Sequence, residues 1–285
     1  MAGSAIVVGV DGSDQALEAV RWAAAEAASR SLPLRAVSAV DPAIAVATAG
    51  PPVVLEAVDS IEQVAQADLE KAALLARETA DVTADTEYLP NSAVPVLVEQ
   101  SKNASLLVLG ATGRGGYVGM VLGSTAVSVV AHSECPVVVV RPAAEPAGPV
   151  VVGVDGSETS LGALAAAFDE AARRRTPLVA VHSWFDSDYL LVARHGALER
   201  ELEAQEQTQV LVESLEGWQE KYPGVAVQRV AVRDQPRHQL LDWSRKAQLV
   251  VVGSRGRGGF TGLVLGSTSQ ALIQHASCPV MVVRG

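Results

Sequence analysis

Two cysteines in 285 residues are too few for the disulfide framework of a small secreted domain. Aromatic residues make up only 4% of the chain, so the core must be built from aliphatic side chains. Lysine is scarce as well: Lys71, Lys102, Lys221 and Lys246 lie outside both glycine-rich stretches described below, which excludes a Walker A loop with its Gly-Lys-Ser/Thr ending. Positive charge is in deficit, with a formal net charge of −10, and this argues against a non-specific hold on nucleic acid or on an anionic membrane. No apolar run reaches the roughly 20 residues that span a bilayer. The chain starts "MAGSAIVVGVD", without the basic opening of a signal peptide. These absences point to a cytoplasmic protein with neither nucleic-acid nor membrane partners.

What is present is Ala, Val and Leu, the bulk of an apolar content of 49%. Such a balance suits helices packed on buried parallel strands, and the length allows two domains of ordinary size. The chain also repeats itself. "IVVGVDGSD" (6–14) recurs as "VVVGVDGSE" (150–158), "SLLVLGATGRGG" (105–116) as "QLVVVGSRGRGG" (248–259), and "AHSECPVVVVRP" (131–142) as "QHASCPVMVVRG" (274–285). Three matched blocks at nearly constant offset mark a duplicated domain. The Pro/Gly/Ala stretch 143–148 reads as the linker between domains 1–142 and 149–285.

Each half alternates strands and helices. In the first, strand "AIVVGV" is broken by Asp11-Gly12-Ser13, with Ser13 placed to N-cap a helix over 14–30. Strands are expected at 33–40, 85–89, 105–110 and 136–141, with helices near 55–81, 94–102 and 122–132. Apolar strands alternating with helices predict a doubly wound, Rossmann-like α/β domain: a five-stranded, mainly parallel sheet covered on both faces, twice in tandem.

In such sheets ligands sit beyond the carboxyl ends of the strands, where the winding reverses. Both the Asp-Gly-Ser turn and a glycine loop leave carboxyl ends, those of the first and fourth strands. The loop reads Gly-x-x-Gly, nine residues, Gly-Ser: Gly110, Gly113, Gly123 and Ser124 in one half, Gly253, Gly256, Gly266 and Ser267 in the other. Glycines let the backbone approach a ligand with its N–H groups exposed, and a Gly-Ser pair opening a helix favours an anion. The loop reads as a phosphate cradle. A dinucleotide fingerprint is not supported, because the first strand ends in Asp-Gly-Ser instead of Gly-x-Gly-x-x-Gly.

The strand ending in Asp, the spaced glycine motif and the closing "CPVVVV" together resemble the universal stress proteins, in their ATP-binding branch. The resemblance covers both halves, as for a tandem member. It implies one ATP per domain, with Mg2+, and places Asp11 and Asp155 against the nucleoside. Backbone near Ala39 and Ser183 would meet adenine, and Gly110 and Gly253 the ribose. Gly113, Gly123, Ser124, Gly256, Gly266 and Ser267 would hold phosphates, with Thr125 and Thr268 just behind. It further implies that the last strands, 137–140 and 280–283, pair across an interface, either between the repeats or between chains, that a homodimer forms, and that the role is in stress or growth arrest through a downstream partner.

Plainer readings stand beside these. Asp11 and Asp155 can shape the turn and cap helices. Arg114, Arg255 and Arg257 are solvated loop charges or phosphate contacts, and position 112 is Thr where the second repeat has Arg255. Cys135 and Cys278 read as small packing residues, and His132, His182, His195, His238 and His275 form no metal-ligand spacing. The acidic stretch 197–222 reads as an exposed helix face. With no catalytic residue evident, three readings remain: a regulatory ATP-binding protein; a slow metal-dependent ATPase or phosphotransferase; or a scaffold with empty sites, which would need the motif to survive for packing alone.

Overall fold

The computed structural model describes residues 5–43, 54–114, 122–185, 197–257 and 264–284. The interior of each glycine loop (115–121 and 258–263), part of the Pro/Ala stretch before the second helix, and His195 lie outside the described residues. The chain divides into two units, residues 1–141 and 142–285.

In the first unit the elements run β1 (Ala5–Gly9), α1 (Asp14–Arg30), β2 (Leu34–Ala39), α2 (Val54–Thr79), β3 (Ala84–Leu89), α3 (Ala93–Ser101), β4 (Ala104–Gly110), α4 (Ser124–His132) and β5 (Val137–Val140). The strand order is β3-β2-β1-β4-β5, and every pairing is parallel. Helices α1 and α2 pack together on one face of the sheet and α3 and α4 on the other. The winding therefore reverses between β1 and β4, the two strands that carry the aspartate turn and the glycine loop.

The second unit repeats the plan with β6 (Val150–Gly153), α5 (Glu158–Arg174), β7 (Leu178–Trp184), α6 (Ala197–Ser214), α7 (Trp218–Lys221), β8 (Val227–Arg233), α8 (Pro236–Ser244), β9 (Leu249–Gly253), α9 (Ser267–His275) and β10 (Val280–Val283). Its order is β10-β9-β6-β7-β8, again parallel throughout.

The local chemistry of the first helices explains their ends. Ser13 caps α1 by accepting the Ala16 N–H at 3.2 Å, and Ser157 does the same for α5 with Ser160 at 3.3 Å. Both helices stop where a residue takes the left-handed conformation, Ser31 at φ 53° and Arg175 at φ 51°, its N–H returning to the last turn. α1 buries Ala16, Leu17, Ala19, Val20, Ala23, Ala24 and Ala27; the small side chains let it lie close to the valine-rich sheet.

Three expectations need adjustment. The outer strands β3 and β8 are not apolar on both faces: Asp85, Thr86, Gln228 and Arg229 are exposed, as suits a sheet edge. The helix expected near 122–132 starts at Ser124, because Gly123 is extended (φ −75°, ψ 146°) and serves as its N-cap. The acidic stretch is two helices, α6 and α7, divided at Gly217 with φ +75°. Its Leu211 and Leu215 are buried while Glu206 and Glu213 face solvent.

Candidate functional site

The site grows from the turn after β1. Asp11 Oδ1 accepts the Ser13 backbone N–H at 3.0 Å and the Ser13 hydroxyl at 2.6 Å. Its Oδ2 accepts the Arg114 backbone N–H at 2.8 Å. One carboxylate thus ties the start of α1 to the glycine loop after β4. Gly113 is what permits this approach: a Cβ there would fall 2.2 Å from Asp11 Oδ2. A Cβ on Gly110 would meet the Gln15 carbonyl oxygen at 2.7 Å, so the strand end also lies hard against α1. Gly12 is in the left-handed region at φ +76°, the conformation that turns the chain from β1 into the helix.

The same brace recurs in the second unit. Asp155 Oδ1 accepts Ser157 N–H at 3.0 Å and Ser157 Oγ–H at 2.6 Å, and Oδ2 accepts Arg257 N–H at 2.9 Å. A Cβ on Gly256 would lie 2.4 Å from Asp155 Oδ2, and one on Gly253 2.9 Å from the Thr159 backbone. Burial pushes the Asp155 carboxyl up, but hydrogen bonds from Ser157, the Arg257 amide and Ser160 outweigh it and hold it below its ordinary value of 3.8. The turn-shaping role considered for these aspartates is therefore present in both repeats.

Gly123 and Gly266 differ from the other glycines. Both are extended N-caps, and a Cβ would find its nearest neighbours at 3.6 Å and 3.4 Å respectively. Each N–H donates back to the loop, Gly123 to Ala111 and Gly266 to Ser254, both at 2.8 Å. Neither α4 nor α9 receives a side-chain cap from the described residues. Ser124 and Thr125 at the start of α4 line a cavity of the first unit, and the first amides of a helix have no partner within the helix itself.

In the first unit these pieces enclose a cavity of about 270 Å3. One end is apolar, lined by Val10, Val37, Ala39 and Leu97; the other is formed by Gly110, Gly113, Gly123, Ser124 and Thr125, with Asp11 between. Arg114 is the exception among the residues expected there. Its guanidinium turns to Asp68 on α2, with Nη2 at 2.9 Å and 3.1 Å from the two carboxylate oxygens. In the second unit Ser183, near the end of β7, donates its hydroxyl to the Asp234 carbonyl at 2.5 Å. Gly266, Ser267 and Thr268 open α9 as Gly123, Ser124 and Thr125 open α4.

Several participants escape a reading of the sequence alone. Asp68 comes from the middle of a charged amphipathic helix, where no local signal singles out one acid. Thr159 Oγ1 donates to the Arg255 carbonyl at 2.6 Å, joining α5 to the second loop. His182 is buried, with Nδ1 2.7 Å from the Val154 carbonyl and Nε2 2.9 Å from the Gln207 carboxamide. It links the carbonyl of Val154, the residue before Asp155, to α6, and its ring stacks on Trp184 at 5.8 Å. Cys135 and Cys278 are free and buried, and burial pushes both thiols up to about 12. Among the described residues no cluster of three His, Cys, Asp or Glu side chains is disposed to hold a metal ion, and no helix is long and apolar enough to cross a membrane.

Fold and site together define a tandem α/β protein in which an aspartate turn and a glycine loop are braced together in each repeat. The chain belongs to the universal stress protein family, whose pattern matches residues 4–141 and again 147–284. It is 43% identical over 296 residues to a universal stress protein of Mycobacterium tuberculosis, covering 98% of this chain and 96% of that one. A universal stress protein of Mycolicibacterium smegmatis is 41% identical over 289 residues, with coverage of 98% and 96%. Among solved structures, a universal stress protein from Archaeoglobus fulgidus superposes with a TM-score of 0.69 at 19% identity, over 100% of this chain and 99% of that one; at that identity the likeness concerns the fold.

Proposed function

We propose that the protein is a regulatory ATP-binding protein with one nucleotide site per repeat, whose nucleotide-bound state is what a downstream partner reads. The observation that carries this reading is the cavity of the first unit, apolar at one end and walled at the other by the amide-bearing start of α4. Apolar side chains suit the faces of a base, while backbone amides and the Ser124 and Thr125 hydroxyls suit phosphate oxygens. Its volume of about 270 Å3 lies just below the roughly 300–1,000 Å3 of ordinary small-molecule sites. A base and sugar would fill it, and the phosphates would extend toward the loop.

Asp11 has both oxygens engaged by the protein, so its contribution to a ligand is chiefly to hold the turn and the loop in register. It keeps lone pairs for a ribose hydroxyl, since a carboxylate offers about four acceptor positions. Mg2+ would arrive on the phosphates. Among the described lining residues Asp11 is the one titratable side chain, and its oxygens are engaged by Ser13 and the Arg114 amide, which favours binding over turnover.

Thermal denaturation with and without ATP and Mg2+ tests the reading. At a nucleotide concentration of about 100 Kd the linkage is worth roughly 2.7 kcal/mol, and the melting temperature should rise accordingly. Gly123→Val, which places a branched side chain at the cavity wall where a Cβ itself is accommodated, should fold but lose the first unit's share of the stabilisation. No rise at any ATP concentration up to millimolar would refute the proposal.

A further inference from the structure

The two aspartate-and-loop sites share a backbone plan but not a charge. In the first, position 112 is Thr, and the one guanidinium of the described loop, Arg114, is bound by Asp68. That carboxylate sits over the turn: a Cβ on Gly12 would meet Asp68 Oδ2 at 2.3 Å and Arg114 Nη2 at 2.4 Å. In the second unit a Cβ on Gly156 would meet Arg257 Nη2 at 2.3 Å, but the α6 residue beside it is Val210, at 3.1 Å. A valine thus stands where the first unit has the aspartate. The position of Thr112 is taken by Arg255, which is exposed. Among the described residues neither Arg255 nor Arg257 has an ion-pair partner. Among these described residues, Asp11, Asp68 and Arg114 leave one carboxylate in excess, whereas Asp155, Arg255 and Arg257 leave one guanidinium in excess.

We infer that the two sites sort nucleotides by phosphate charge: the second site selects the polyphosphate, and the first takes an adenine nucleotide with little regard to its number of phosphates. This rests on the nucleotide reading above and assigns a different ligand preference to each repeat. A charge pair about 4 Å apart in a water-like environment is worth on the order of 1 kcal/mol, close to a fivefold change in affinity. Two unneutralised guanidiniums acting on the added phosphates of ATP should favour ATP over AMP by roughly tenfold or more at the second site. At the first site Asp68 already neutralises Arg114, so the ratio should stay within about threefold. The preference should weaken between 50 and 200 mM salt, because exposed charges are screened over about a Debye length.

Isothermal titration of the full chain with AMP and with ATP, at both salt concentrations, reads this directly. The expected result is two classes of site for ATP, only the tighter of which is salt-sensitive and weak toward AMP. The double variant Arg255→Thr, Val210→Asp gives the second site the charge of the first and should merge the classes. The reciprocal Asp68→Val, Thr112→Arg should merge them at the higher ATP preference. Two equivalent ATP sites in the parent, or class-specific ATP/AMP ratios unchanged in both double variants, would overturn the inference while leaving nucleotide binding intact. Absence of any binding by either nucleotide would overturn the nucleotide reading itself.

Discussion

Replacing Gly113 with alanine is a small change whose consequences can be worked from the geometry. The new Cβ would lie 2.2 Å from Asp11 Oδ2, more than 1 Å inside ordinary contact, so the carboxylate must move. It is held by three hydrogen bonds, from Ser13 N–H, Ser13 Oγ–H and Arg114 N–H, and relief requires giving up at least the last. A hydrogen bond to a charged group is worth about 1.5–3 kcal/mol, and the lower figure applies to this partly exposed carboxylate. Alanine returns roughly 0.5 kcal/mol by stiffening the unfolded chain, since Gly113 is not in the left-handed region. The net cost is then about 1–2 kcal/mol. At about 2.1 cal/mol/K of unfolding entropy per residue, a unit of residues 1–141 should melt roughly 3–7 °C lower, and by about half that if the whole chain unfolds together. Because Asp11 and the loop amide separate, nucleotide affinity in the first unit should fall at least about tenfold. Circular dichroism melting and calorimetric titration measure both, with Gly123→Ala as the control: its Cβ meets nothing closer than 3.6 Å, and its melting temperature should stay close to the parent's. If Gly113→Ala melts and binds like the parent, the aspartate brace does not organise the site.

The buried thiols of Cys135 and Cys278, pushed up to about 12 by desolvation, should ignore a disulfide reagent at pH 8 in the folded chain and react fully in denaturant; prompt labelling of the native protein would contradict their burial. His238 donates toward Asp234 at 2.7 Å, and that hydrogen bond, with the Asp234 charge, raises its pKa above 6.5. The stability it contributes is complete below pH 6.5 and is lost as pH rises through the higher folded value. An NMR titration should show a His238 midpoint above 6.5 that Asp234→Asn lowers; an unchanged midpoint in that variant would refute the pairing. Asp155, held below 3.8 by Ser157, the Arg257 amide and Ser160 against its burial, contributes stability above pH 3.8 that disappears as pH falls through the lower folded value. Ser157→Ala should raise its NMR midpoint, and no change would show that the hydroxyl is not its partner.

Much of the fold was legible because local signals agreed with one another. Ser13 and Ser157 cap their helices where the Asp-Gly-Ser turns say they should, and the aliphatic runs at 6–8 and 150–152 lie in the central strand of each unit. The repeated turn and loop pointed to the carboxyl ends of the first and fourth strands, but that these strands are neighbours is seen only in their parallel pairing in both units. The polar outer strands were harder to read, since β3 and β8 lack the apolar runs that mark buried strands. At the site, glycine spacing revealed which segments meet but not how. Asp11 and Asp155 admitted a ligand role and a turn role, and the carboxylate that bridges a helix cap and a loop amide is seen only in the folded protein. Asp68, Val210 and Gln207 were invisible because a helix residue acquires its partner from packing, not from its neighbours in sequence. The charge difference between the crevices depends on two of these, so it could be glimpsed only at Thr112 and Arg255.

The most direct test of nucleotide binding is to purify the full chain without added nucleotide, denature it, and quantify the adenine nucleotides released per chain. The account predicts bound ATP, from one to two molecules per chain, and restoration of full occupancy on incubation with ATP and Mg2+. Release of mostly ADP would move the assignment to a hydrolase. No nucleotide, joined to no uptake from millimolar ATP, would contradict the reading of the glycine loops.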